Sequence, residues 1–124
     1  MSTLPSLVGF AEEFREPGQV LIRPERFAAA LNLQLQELAQ LAHVHRTTVS
    51  EAPANARLQG FMRESLQVIS AALEVAQDRD RAFYWYRNAP IPEFGHRTAE
   101  QLVADHKTQA VLAYLQSARG GSTG

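Results

Sequence analysis

The residues from Ala56 to Ala76 constrain this chain more than any other stretch. Phe61, Met62, Leu66, Ile69, Leu73 and Ala76 recur three and four residues apart, the spacing of one helix face, and Val68 and Ala72 widen the stripe. Gly60 sits inside this helix at a cost of order 1 kcal/mol relative to alanine. The stripe is wider than one small domain needs, which points to self-association as a homodimer.

Shorter helices are read on either side. Pro24 suits a first helical position, where its missing N–H costs nothing, and Phe27, Ala28 and Leu31 follow at helical spacing. Leu35, Leu38, Ala39 and Ala42 mark a second helix, His43-Val44-His45 a tight turn, and Arg46 the start of a third helix that carries Val49 and ends at Pro53. Beyond the long helix, about Arg79 to Arg87 is helical, Pro90-Ile91-Pro92 is not, and Gly95 closes that loop. Thr98-Ala99-Glu100-Gln101 reads as a capping box, and a last helix from about Lys107 to Ala118 buries Val111, Leu112 and Leu115. Residues 1–22, punctuated by Pro5, Gly9, Pro17 and Gly18, allow one short helix near Leu7–Phe14 and otherwise read as an extended arm. No segment reads as a strand. The expectation is an all-α protein divided into an arm (1–22), a helix-turn-helix (23–64) and a small C-terminal helical bundle (65–124), the long helix linking the last two.

A length of 124 residues fits one domain, or two very small modules sharing a core. Net charge is −1, with seven acids against six bases in residues 1–64 and six against six in residues 65–124. Bulk electrostatics therefore does not hold nucleic acid here, and any such binding rests on a local patch doubled by dimerisation. There is no cysteine for a disulfide or a thiolate metal site, no apolar run of membrane-spanning length, and no signal-peptide pattern in Met1–Glu16. The expected location is the cytoplasm. No nucleophile sits beside a base, no glycine-rich phosphate loop is present, and His43-x-His45 lacks a third metal ligand nearby. Neither an enzyme nor a bound cofactor is expected.

Residues Leu31–Ser50 read LNLQLQELAQLAHVHRTTVS. A helix-turn-helix needs a small residue where its helices cross (Ala39), an apolar plug in the turn (Val44) and another one turn into the second helix (Val49). His45, Arg46, Thr47 and Ser50 then face outward, with Arg46 and Thr47 nearest base edges and His45 and Ser50 nearest phosphates. The stretch resembles the Xre (Cro/repressor-like) helix-turn-helix in Glu37-Leu38-Ala39, Val44 and Thr48-Val49. It departs in two places. His43 stands where glycine is usual, and Gln34 is a poor N-cap for the first of the two helices. The same spacing also fits two packed helices that read no DNA.

The second half is similar to the toxin-binding domain of the Xre/MbcA/ParS antitoxin family. Ala82 and Trp85 three apart, Pro90 and Pro92, Phe94-Gly95, Thr98, Leu102, Val111, Leu115 and Gly120 fall in that order, with Ala99 where the family has proline. The resemblance covers about sixty residues, and about a hundred with the preceding helix-turn-helix. It implies an antitoxin that binds a cognate RES-domain toxin, occludes its NAD-consuming site and represses the shared operon at operator DNA. It also implies toxin contacts at Trp85, Arg87, Pro92, Phe94, Gly95, Arg97, Arg119 and Gly120. The expected plug is Gln116–Gly124, supported by the Pro90–Gly95 loop. By their residue types alone, Trp85 reads as a core anchor with its indole N–H on a carbonyl, Gly95 as a positive-φ position, Pro92 as a loop stiffener and the arginines as solvated surface. A stand-alone regulator without a toxin, or a dimeric adaptor, are the alternatives.

Overall fold

Residues 7–120 are described by a computed structural model, and they form eight α-helices with no β-strand among them. In chain order these are α1 (Leu7–Glu12), α2 (Pro24–Leu31), α3 (Leu35–Ala42), α4 (Arg46–Glu51), α5 (Ala56–Ala76), α6 (Arg79–Asn88), α7 (Ala99–Ala104) and α8 (Thr108–Arg119). A single 3-10 turn, Pro92–Phe94, interrupts the loop between α6 and α7. No described helix is long and apolar enough to cross a membrane.

The helix ends follow from local chemistry. Pro24 opens α2, and Asn32 closes it in the left-handed conformation that asparagine tolerates. Gln34, a weak cap by residue type, enters a capping box with Glu37, whose carboxylate accepts from the Gln34 N–H at 3.0 Å. Asn55 and Asp78 cap α5 and α6 by accepting from the N–H groups of Leu58 and Arg81, both at 3.1 Å. The capping box expected at Thr98 is present: Thr98 Oγ1 accepts from Gln101 N–H and Gln101 Oε1 from Thr98 N–H.

The long helix α5 is the axis of the molecule. It packs against α1, α3, α6, α7 and α8, which explains why its apolar stripe is so wide. The chain's own helices cover that stripe, so its width is not a reason to expect a second copy on it. One continuous core runs from Phe10 to Leu115. Tyr86 of α6 is buried against α5, where its hydroxyl donates to Ser65 Oγ at 2.5 Å, and burial pushes the phenol above its ordinary titration range.

The N-terminal segment is not the extended arm expected from its punctuation. The chain reverses at Gly18 (φ 78°), Arg15 bridges Ile22, and Phe10, Phe14 and Ile22 are buried. Edge-on contacts run Phe10–Phe14–Phe27–Phe61 at 5.5, 6.5 and 6.2 Å between ring centres, joining this segment to α2 and α5. Gln59 of α5 fixes it by accepting from Ile22 N–H at 3.0 Å and donating to Ile22 O at 2.9 Å.

Gly60 has no packing reason to be glycine. A Cβ there meets only the Arg63 guanidinium, at 3.9 Å. Gly60→Ala is expected to raise stability by about 0.5–1 kcal/mol, the helix propensity difference, measured as a higher urea midpoint at unchanged slope. A lower midpoint would mean that the backbone here needs the glycine.

Candidate functional site

Helices α3 and α4 meet at a tight corner. Leu38, Ala39, Ala42 and Val49 are buried, Val44 is half-buried, and Val44 N–H closes the turn onto Ala39 O at 3.0 Å. His43 takes the left-handed conformation (φ 59°) that its place in the turn demands, at a cost glycine would avoid. Its imidazole gives some of that back. Nε2 lies 2.8 Å from Ala104 O at the end of α7, so it carries the proton and donates. This bond ties the corner to the C-terminal half.

All four residues expected to face DNA are exposed on α4 or at its cap. His45 has a role that the sequence did not reveal: its Nδ1 accepts from Thr47 N–H at 3.3 Å and caps the helix. Ser50 Oγ donates back to Thr47 O at 3.3 Å. Arg46 makes no ion pair or side-chain hydrogen bond among the described residues, and with Ser50 it borders a shallow groove formed by Gln34, Leu35 and Gln36. The start of α3 and the start of α4 thus share one polar surface. Gln34 and Gln36 belong to it, and only the packing of the two helices brings them there.

The residues expected to meet a protein partner divide into two groups. Trp85 is half-buried, not the core anchor its size suggests, and its indole N–H has no partner among the described residues. It lines an apolar groove with Val75, Ala76, Tyr114, Leu115 and Ala118. Phe94 packs edge-on against Tyr114 at 6.0 Å, so Trp85, Tyr114 and Phe94 form one aromatic surface across α6, α8 and the loop. Tyr114 was not singled out by sequence reasoning. Arg119, next to Ala118, pairs with Glu74 at 2.6 Å, and both are exposed. Pro92 is exposed, and Gly95 (φ 70°) uses the conformational freedom expected of it. Gly120 has an ordinary right-handed backbone and no conformational need for glycine. Gly121–Gly124, the end of the expected plug, lie outside the described residues.

Arg87 and Arg97 instead line a polar cleft between α3 and α7. Arg97 pairs with Asp105. Arg87 is turned inward: Nε donates to Glu100 Oε2 at 2.9 Å, and Nη1 reaches the carbonyls of Leu31 and Asn32 at 3.2 and 3.3 Å. Its guanidinium closes the C-terminus of α2, where a cation is favoured. Glu37 stands 3.7 Å away. The Glu100 side chain is only 8% exposed, and burial raises its carboxyl above the usual carboxylate range. The charge and hydrogen bond of Arg87 oppose that rise, while Glu37 adds to it.

Comparison with known protein families, with curated proteins and with solved structures finds no match to this chain.

Proposed function

We propose that this chain is the antitoxin of a toxin–antitoxin pair, which binds a cognate RES-domain toxin, covers its NAD-consuming site and represses their operon. The observation that carries this reading is the aromatic surface of Trp85, Tyr114 and Phe94. Half-exposed tryptophan and tyrosine beside an apolar groove are what protein interfaces use as anchors. They fall in the segment whose residues resemble the toxin-binding domain. The chain acts by occlusion and not as an enzyme, and it works in the cytoplasm. Arg119 and the residues after it serve as the plug, with the Pro90–Gly95 loop beside them.

The direct test is co-expression with the neighbouring reading frame. A RES-domain product that co-purifies with this chain, and cellular NAD that is spared only when both are present, is the expected result. No complex, with NAD consumed equally in both cases, would leave a stand-alone regulator as the reading. Deleting residues 119–124 tests the plug: the truncated chain is expected to bind the toxin and fail to protect NAD. Full protection would assign inhibition to the aromatic surface alone.

On the DNA side, α3 and α4 act as a helix-turn-helix, and a homodimer presents two copies of α4 to two half-sites. Arg46, without a side-chain partner among the described residues, reads a base edge. Arg46→Ala is expected to weaken operator binding by roughly 1–3 kcal/mol with the fold unchanged. Operator affinity equal to wild type in a mobility-shift titration would remove Arg46 from the interface.

A further inference from the structure

A further cavity adjoins the polar cleft of Arg87 and Arg97, with which it shares Leu41, His43 and Ala104. A cleft of about 430 Å³ opens between the α3–α4 turn, the first half of α5 and the end of α7. Buried Phe61, Val103 and Ala104 form its apolar floor, and His43, Arg57, Glu64 and His106 stand around it. The volume is within the usual range for small-molecule pockets.

Three features make the cleft receptive to a ligand. The first is Gly60, which weakens the long helix and leaves open space where a side chain would stand. The second is His106, whose left-handed backbone (φ 63°) closes α7 through His106 N–H to Val103 O and Lys107 N–H to Leu102 O, and whose imidazole makes no side-chain hydrogen bond among the described residues. The third is Arg57, which spends one N–H on His43 O at 3.3 Å and has no other side-chain partner among the described residues. The imidazoles of His43 and His106 lie 6.2 Å apart, but His43 gives its proton to Ala104 O, so His106 is the imidazole that can donate into the cleft. The one carboxylate present, Glu64, accepts from Thr108 Oγ1 at 2.5 Å and is occupied on the α8 side. Arg57 and the His106 imidazole therefore offer donors on one side, over an apolar floor.

We propose that this cleft binds a small molecule that joins an oxyanion, carboxylate or phosphate, to a compact apolar group. Arg57 takes the oxyanion through a charge-assisted hydrogen bond, and the His106 imidazole donates a second. The apolar part lies over Phe61 and Val103 in the space left by Gly60. Such a ligand spans the corner that carries α4 and the end of α7, so its binding free energy stabilises their relative position. Binding here does not depend on the antitoxin reading, since the cleft is formed by this chain alone.

The test is a titration of the full chain, followed by backbone amide NMR, with phenyl phosphate, benzoate, inorganic phosphate and phenol as probes. Phenyl phosphate or benzoate is expected to shift the signals of His43, Gly60, Ala104 and His106, and to bind about tenfold tighter than phenol or inorganic phosphate. Arg57→Gln, an exposed change, should weaken that binding by about tenfold, and Gly60→Leu should abolish it by filling the cleft. No shift with either organic anion overturns the proposal. So does phenol or inorganic phosphate binding equally well, or an Arg57→Gln chain that binds as the wild type does. Should Gly60→Leu fail to fold, His106→Ala replaces it, and undiminished binding in that variant counts against the site in the same way.

Discussion

Arg87→Ala is expected to cost on the order of 3 kcal/mol of stability at neutral pH, far more than an exposed arginine would. The change strands the Glu100 carboxylate, which is 8% exposed, and releases the Leu31 and Asn32 carbonyls at the end of α2. The loss should depend on pH in a defined direction. Burial already raises the Glu100 carboxyl above the usual carboxylate range, so the folded protein holds this proton to higher pH than the unfolded chain does. Where the folded state binds more protons, stability falls as pH rises, here through the window just above ordinary carboxylate values. Without Arg87 the carboxyl rises further and the window widens upward. The deficit of the variant should thus be largest at neutral pH and shrink as the pH falls toward the ordinary carboxylate range, where the folded protein holds Glu100 protonated with or without Arg87. Adding Glu100→Gln should recover much of the loss at neutral pH, a coupling that a double-mutant cycle measures. Denaturation midpoints across pH decide the matter. A small loss, constant with pH, would return Arg87 to the surface and to the pool of partner contacts.

That role could not be read from the sequence, and the reason is physical. An arginine on a short helix is ordinarily solvated, and nothing local to Arg87 signals that Glu100 will be folded against it. Trp85 and Tyr86 make the same point from the other direction. Adjacent helical residues point about 100° apart, so only one of the pair can face α5. Size favours the tryptophan, but Ser65 on α5 offers a partner that the Tyr86 hydroxyl reaches. The helices themselves were legible because their signals are local: the stripe of α5, Pro24, the Thr98–Gln101 box and the breaks at Pro53 and Pro90. The α3–α4 corner was legible for the same reason, and the outward positions of His45, Arg46, Thr47 and Ser50 follow from the phase set by Val44 and Val49. What escaped was tertiary. The cap formed by His45, the reach of His43 to Ala104 and the aromatic surface completed by Tyr114 all depend on packing between elements.

A chain shortened to begin at Arg23 is expected to lose the native fold. The removed segment carries Phe10, Phe14 and Ile22, each no more than 3% exposed. Burying side chains of this size contributes about 1.5–3 kcal/mol each, so the three together approach the whole stability of a small domain, about 5–15 kcal/mol. Two further losses add to this. The Gln59 amide, buried inside α5, is left without the Ile22 backbone it bonds, and Arg79 of α6 loses its bidentate partner Glu13 at 2.8 and 3.0 Å. Arg79 also stacks on Phe10 and Phe83, 5.4 and 5.2 Å from their ring centres, so the start of α6 is clamped by the N-terminal segment. That clamp matters for function, because α6 presents Trp85. A milder variant keeps the measurement within range if the shortened chain is insoluble: Phe14→Ala should cost roughly 3–5 kcal/mol, the usual penalty for removing a core phenylalanine. Under the proposed function, the same variant should weaken toxin binding by loosening α6, although Phe14 is not itself part of the aromatic surface. A shortened chain that melts cooperatively near the wild-type temperature would show that residues 1–22 form an arm after all, and that α2 to α8 fold without them.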